Sequence, residues 1–231
     1  MDVEQEIALA LAEVRDRITQ AAERAGREPG SVTLVAVSKL QPAPRVHAAL
    51  AAGQRVFGEN YVQEARSRWT PLREAHPDLE LHLIGPLQTN KTADAVALFD
   101  VIQTLDRPKL ARSLAKERDR QGRLPRLYVQ VNSGEEPQKG GVLPDGLDEL
   151  LHLCRDELGL EVEGLMAIPP EGEDIVPHTA LLAKLAKRHG LAGVSIGMSA
   201  DYEEAVRFGA TTVRVGSKIF GERPPRPAPG G

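Results

Sequence analysis

The chain has 231 residues, 41% of them hydrophobic and 27% charged, with a formal net charge of −4. That balance argues against nonspecific nucleic-acid binding as the main activity, and four Phe, three Tyr and one Trp offer little for stacking on bases. The single cysteine, Cys154, excludes an intrachain disulfide and any multi-cysteine metal site, so a reducing, cytoplasmic setting is expected. The acidic, amphipathic opening is unlike a signal peptide, and no apolar run is long enough for a membrane span.

The first predicted helix runs from about Asp2 to Ala25, with Ile7, Leu11, Val14 and Ile18 on one face, and Gly26 ends it. Val32–Val37 is short and β-branched, the signature of a strand buried on both faces. Pro42 and Pro44 then signal a helix that closes at Gly53. Further strands are expected at Arg55–Phe57, Leu79–Ile84, Val101–Thr104, Arg126–Val131, Val162–Ala167, Val194–Ile196 and Thr212–Val215. Helical patterns lie between them at Tyr61–Ala75, Thr89–Phe99, Pro108–Arg120, Leu147–Leu158, Thr179–His189 and Tyr202–Phe208. Cys154 falls on the apolar side of one of these and reads as a buried small hydrophobe.

Strand and helix thus alternate through eight strands, which fits a (β/α)8 barrel preceded by an extra helix. The alternative is an open doubly wound sheet, but Val37-Ser38-Lys39-Leu40-Gln41-Pro42 after the first strand lacks a glycine-rich dinucleotide fingerprint. The barrel is expected to occupy residues 1–221. Residues 222–231, rich in proline, read as a disordered tail.

In such a barrel the chemistry lies at the C-terminal ends of the strands. Lys39 follows the first strand, where partial desolvation favours the neutral amine that forms Schiff bases; it also reads as a solvated loop lysine. After the seventh strand comes Gly197-Met198-Ser199-Ala200-Asp201, and after the eighth Gly216-Ser217-Lys218. Loops at these two places commonly bind phosphate, through backbone N–H groups at Gly216 and the hydroxyls of Ser199 and Ser217; both serines also suit helix capping. Arg214 sits within an apolar strand, where it needs an acidic partner such as Glu161 or Glu163, or a ligand. A lysine with a phosphate cradle suits pyridoxal phosphate, and equally a Schiff-base aldolase acting on a phosphorylated sugar.

Six ordered stretches carry a resemblance: Leu34-Val35-Ala36-Val37-Ser38-Lys39, Phe57 to Glu64 (FGENYVQE), His82 to Lys91 (HLIGPLQTNK), Gly164 to Pro170 (GLMAIPP), Ile196 to Asp201 (IGMSAD) and Val213 to Gly221 (VRVGSKIFG). The chain resembles the pyridoxal phosphate homeostasis protein family, relatives of the alanine racemase N-terminal barrel. The resemblance implies pyridoxal phosphate held as a Schiff base on Lys39. It implies phosphate contacts at Ser199, Gly216 and Ser217, Arg214 near the ring nitrogen and Asn60 near the ring hydroxyl, with Met198 also at the cofactor. Asn60 has capping-box spacing to Gln63 as well. His82 and Met166 are candidate pocket-lining residues, each with a core-filling alternative. Lys139 is given no site role.

A racemase of this ancestry needs a second base, a tyrosine presented with help from a β-rich domain, and the chain ends soon after the eighth strand. The resemblance therefore implies a monomeric cofactor-holding protein that stores, buffers or delivers pyridoxal phosphate to apo-enzymes, without nucleic-acid or membrane partners. A racemase or related enzyme of weak activity is the alternative.

Overall fold

The computed structural model describes residues 2–222. The proline-rich stretch from Arg223 onward lies outside the described residues. Eight parallel strands close into a barrel in sequence order, which settles the choice against the open sheet. They are β1 (Thr33–Val37), β2 (Val56–Glu59), β3 (Glu80–Leu83), β4 (Val101–Leu105), β5 (Arg126–Val131), β6 (Val162–Ala167), β7 (Gly193–Ser195) and β8 (Thr212–Val215). The seam pairs β1 with β8 in the register Thr33 with Thr212 through Ala36 with Val215.

The helices are α1 (Val3–Arg24), α2 (Ala43–Ala51), α3 (Val62–Ala75), α4 (Thr92–Leu98), α5 (Pro108–Gln121), α6 (Leu147–His152), α7 (Ile175–Arg188), α8 (Tyr202–Arg207) and α9 (Ser217–Phe220). α1 places Ile7, Leu11, Val14 and Ile18 in the core, as its period predicts. It also ties the seam together from outside. Arg45 on α2 bonds both Glu6 on α1, at 3.0 Å, and the Phe220 carbonyl on α9, at 2.8 Å. Arg17 on α1 reaches Glu203 on α8 at 3.1 Å. No helix among the described residues is long and apolar enough to cross a membrane.

Among the boundaries that differ from expectation, two have clear local reasons. α7 starts at Ile175 rather than Thr179 because the Asp174 side chain accepts the Val176 N–H at 2.9 Å and Pro177 is tolerated in a first turn. The predicted helix Leu147–Leu158 is α6 followed by a wider π-type turn, Leu153–Glu157, which carries the buried Cys154.

Outward-facing strand residues and the inner faces of the helices form the main hydrophobic core. The barrel interior is different in kind. Val101, Tyr128 and Met166 make a small separate cluster there. Around it runs a polar chain that joins strands not adjacent in the sheet: Ser195 on β7 donates to Gln103 Oε1 on β4 at 2.6 Å, a contact that crosses the interior.

Candidate functional site

The loops after β1, β2, β7 and β8 surround a cavity of about 280 Å³. Lys39, Asn60, Met198, Ser199, Arg214, Gly216 and Ser217 all line it, together with Val37, Ile84, Ile168 and Ala200. Residues from both ends of the sequence therefore meet at the C-terminal mouth of the barrel. A wider groove of about 470 Å³, lined by Tyr61, Leu87 and Lys91 among others, adjoins it through Asn60.

Lys39 is half-buried and sits on the turn that follows β1. The turn is closed by Gln41 N–H donating to the Ser38 carbonyl at 3.1 Å, and Leu40 within it has φ +59°. Behind the turn lies Glu59, fully buried at the end of β2. Its Oε1 accepts from Ser38 Oγ at 2.7 Å, Trp69 Nε1 at 3.0 Å and Arg68 Nη1 at 3.0 Å, while Oε2 has no hydrogen-bond partner. Burial outweighs these favourable contacts and pushes the Glu59 carboxyl above the usual range.

Asn60 is not a helix cap. α3 begins at Val62 with Tyr61 in the capping position and no side-chain capping bond, which removes the capping reading and leaves Asn60 at the cavity. Its backbone is fixed by the next loop: a Cβ on Gly85 would stand 2.3 Å from the Asn60 carbonyl oxygen, so only glycine fits.

The loops after β7 and β8 form the opposite wall. Ser199 Oγ accepts the Gly216 N–H at 3.2 Å and the Lys218 N–H at 3.4 Å, so two backbone donors converge beside the cavity. Asp201 stands at the N-terminus of α8 without capping it through its side chain. Instead Asp201 Oδ1 accepts the Met198 N–H at 2.7 Å and closes the 198–201 turn. Met198, 39% exposed, stands at the rim.

Arg214 is buried, yet neither Glu161 nor Glu163 pairs with it. Nη1 donates to Ser195 Oγ at 2.7 Å and Nη2 to the Ala167 carbonyl at 2.8 Å. Glu163 is instead shared between Arg126 at 3.5 Å and the Tyr128 hydroxyl at 3.2 Å. Burial lowers the Arg214 guanidinium to about 10, with Asp201 opposing, so it stays cationic at neutral pH. Held by a hydroxyl and a carbonyl, its charge is left for whatever occupies the cavity.

His82 and Met166 are not among the described residues lining that cavity. Met166 fills the barrel interior with Val101 and Tyr128. His82 does point inward, but into the polar chain: Nδ1 lies 2.7 Å from Gln103 Nε2, and Nε2 lies 2.6 Å from Glu80 Oε1. Arginine can only donate, so the direction of the whole chain follows. Ser195 must pass its own hydrogen to Gln103 Oε1, Gln103 Nε2 donates to His82 Nδ1, and His82 Nε2–H donates to Glu80. Sequence reading missed Ser195 and Gln103; their signal is a polar residue at an inward position of an otherwise apolar strand. Lys139 engages Glu136 at 2.5 Å and does not line the cavity.

Fold and site together define a parallel barrel with an amine, a buried cation and two serine hydroxyls at its mouth. The alanine racemase N-terminal domain family matches residues 9–224. An alanine racemase from Clostridium difficile superposes with a TM-score of 0.72 at 15% identity, covering 96% of this chain and 58% of that one, a likeness of fold alone. The pyridoxal phosphate homeostasis proteins of Escherichia coli and Pseudomonas aeruginosa are 41% and 42% identical, each over 94% of this chain and over 97% and 96% of theirs. A structure of PipY from Synechococcus elongatus with PLP bound matches at 37% identity and a TM-score of 0.79, covering 93% of this chain and all of that one. The chain belongs to the pyridoxal phosphate homeostasis protein family.

Proposed function

We propose that this protein binds pyridoxal phosphate in the cavity at the barrel mouth, with Lys39 as its covalent anchor, and holds the cofactor for delivery to apo-enzymes. One observation carries the reading: Lys39, Arg214, Ser199, Gly216 and Ser217 converge on a single small cavity. The donor set fits the ligand. The backbone N–H of Gly216 with the hydroxyls of Ser199 and Ser217 would take the phosphate, Arg214 the ring nitrogen and Asn60 the ring hydroxyl, with Met198 at the rim. When bound, the cofactor would supply an aldehyde, on which the Lys39 amine would form a C=N bond with loss of water.

Arg214 also bears on what the protein does with the cofactor. A permanent cation facing the ring nitrogen opposes its protonation and weakens the ring as an electron sink. None of the three tyrosines lines the cavity. Tyr128 is buried in the barrel with its hydroxyl on Glu163, Tyr202 is buried with its phenol pushed up to about 12, and Tyr61 lies in the adjoining groove. The cavity thus offers no tyrosine as a second base, which favours a carrier over a racemase.

The test is reconstitution of purified protein with pyridoxal phosphate, followed by borohydride reduction and peptide mass spectrometry. A visible absorption band and a pyridoxyl adduct on Lys39, both lost in Lys39→Ala, are expected. A protein that stays colourless with excess cofactor would overturn the reading. Chiral chromatography after prolonged incubation with an amino-acid panel addresses turnover: sustained conversion at ordinary enzyme rates would replace the carrier with the racemase.

A further inference from the structure

We propose that Arg68, on α3, is a positioning residue for Lys39, acting through the backbone turn that presents the lysine. This rests on the reading of Lys39 as the cofactor anchor. The turn Ser38–Gln41 places Lys39 and Leu40 at its centre, and one guanidinium holds both of its ends. Arg68 Nη1 donates to the Ser38 carbonyl at 2.6 Å and Nη2 to the Gln41 carbonyl at 2.7 Å. Neither lysine nor any neutral side chain presents two donors in that fixed fork.

The fork is itself fixed. Glu59 Oε1, buried at the end of β2, pairs with Arg68 Nη1 and accepts the Ser38 hydroxyl, so carboxylate, guanidinium and turn form one closed set of bonds. Trp69, the next residue on α3, donates to the same oxygen and anchors the helix against it. The closure is needed because of Leu40. At φ +59° it occupies the left-handed region that a branched side chain resists, so an unrestrained turn would relax and carry Lys39 with it. Arg68 does not line the cavity; its effect on the lysine passes through the Ser38 and Gln41 carbonyls.

The experiment compares wild type, Arg68→Met, Arg68→Lys and the double variant Arg68→Met/Leu40→Gly. Three readouts are taken: pyridoxal phosphate titration followed by absorbance, hydrogen–deuterium exchange of the peptide spanning residues 38–41 without cofactor, and thermal melting. Arg68→Met and Arg68→Lys should each weaken capture roughly tenfold or more, the scale of a lost charge-assisted bond, and speed exchange in the turn. Adding Leu40→Gly should recover part of the capture, since glycine takes φ +59° without strain. Arg68→Lys keeps a cation beside Glu59 and so serves even where the methionine variant unfolds. Capture and exchange in Arg68→Lys equal to wild type would overturn the proposal, as would a double variant no better than Arg68→Met. If wild type itself forms no Lys39 adduct, the functional reading fails, and turn exchange unchanged by Arg68→Lys then rejects the clamp separately.

Discussion

Arg214 on β8 donates to Ser195 on β7 at 2.7 Å, and through that hydroxyl the cation facing the cavity is joined to the polar chain inside the barrel. Ser195 is the only hydroxyl in the chain from Arg214 to Glu80, and it both accepts and donates. Removing it orphans two buried groups at once. Ser195→Ala is expected to cost about 2–4 kcal/mol, because the Arg214 Nη1 donor and the Gln103 Oε1 acceptor each lose a partner. In a chain of this size that lowers the melting temperature by roughly 5–15 °C. Thermal denaturation of the apo-protein checks it, and a melting temperature within a degree of wild type would show that the chain carries no such load.

Gly85→Ala should act on Asn60 without touching the cavity. The new Cβ would meet the Asn60 carbonyl at 2.3 Å, and backbone cannot yield as a flexible side chain can. A loss of about 1–3 kcal/mol is expected from overpacking, along with weaker cofactor binding as Asn60 is displaced. Melting and titration with pyridoxal phosphate should change together; a variant that binds normally would mean that Asn60 does not contact the cofactor.

The acid limb of the stability profile should contain a contribution from Glu80. Its hydrogen bond to His82, with Arg126 at 2.7 Å, holds the carboxyl below the ordinary range despite partial burial. A depressed folded-state value stabilises the fold above the unfolded value of about 4.3 and is lost as pH falls through the folded one. Glu80→Gln should therefore melt below wild type near neutral pH, and the gap should close as pH falls below about 4. Parallel melting curves across that range would count against the assignment.

Cys154 gives a test of the core. Burial pushes its thiol up to about 11, so hardly any thiolate exists at pH 8. An aromatic disulfide reagent should leave the native protein unmodified and titrate one thiol per chain after denaturation. Rapid native labelling would mean that the turn at Leu153–Glu157 opens readily.

Much of this architecture was legible in the residues. Gly26 and Gly53, read as helix ends, both have positive φ, and the apolar runs that follow them are the barrel strands β1 and β2. The cavity residues were legible for a similar reason, since a barrel puts its chemistry at the ends of strands whose positions the pattern already marks. What escaped was everything that depends on a side chain's partner across space. Asn60 with Gln63 has the spacing of a cap, but the helix starts one residue too late for it. Arg214 has acidic candidates nearby in the pattern, but its register on β8 aims it at Ser195. Arg68 lies in an unremarkable polar stretch of α3, and only the pairing of β1 with β2 brings it under the Lys39 turn.

The seam between β1 and β8 completes the cavity. Lys39 follows the first strand of the barrel, while Arg214, Gly216 and Ser217 arrive with the last, and the two sets become neighbours only when Thr33–Ala36 pairs with Thr212–Val215. A chain that has made seven strands has the lysine but neither the cation nor the β8 half of the anion cradle. Pairing strands so distant in sequence closes the longest loop of any strand pair in the barrel, at the largest cost in chain entropy. A ligand bridging the lysine and that cradle therefore selects finished molecules from unfinished ones, and its binding adds to the stability of the closed ring alone.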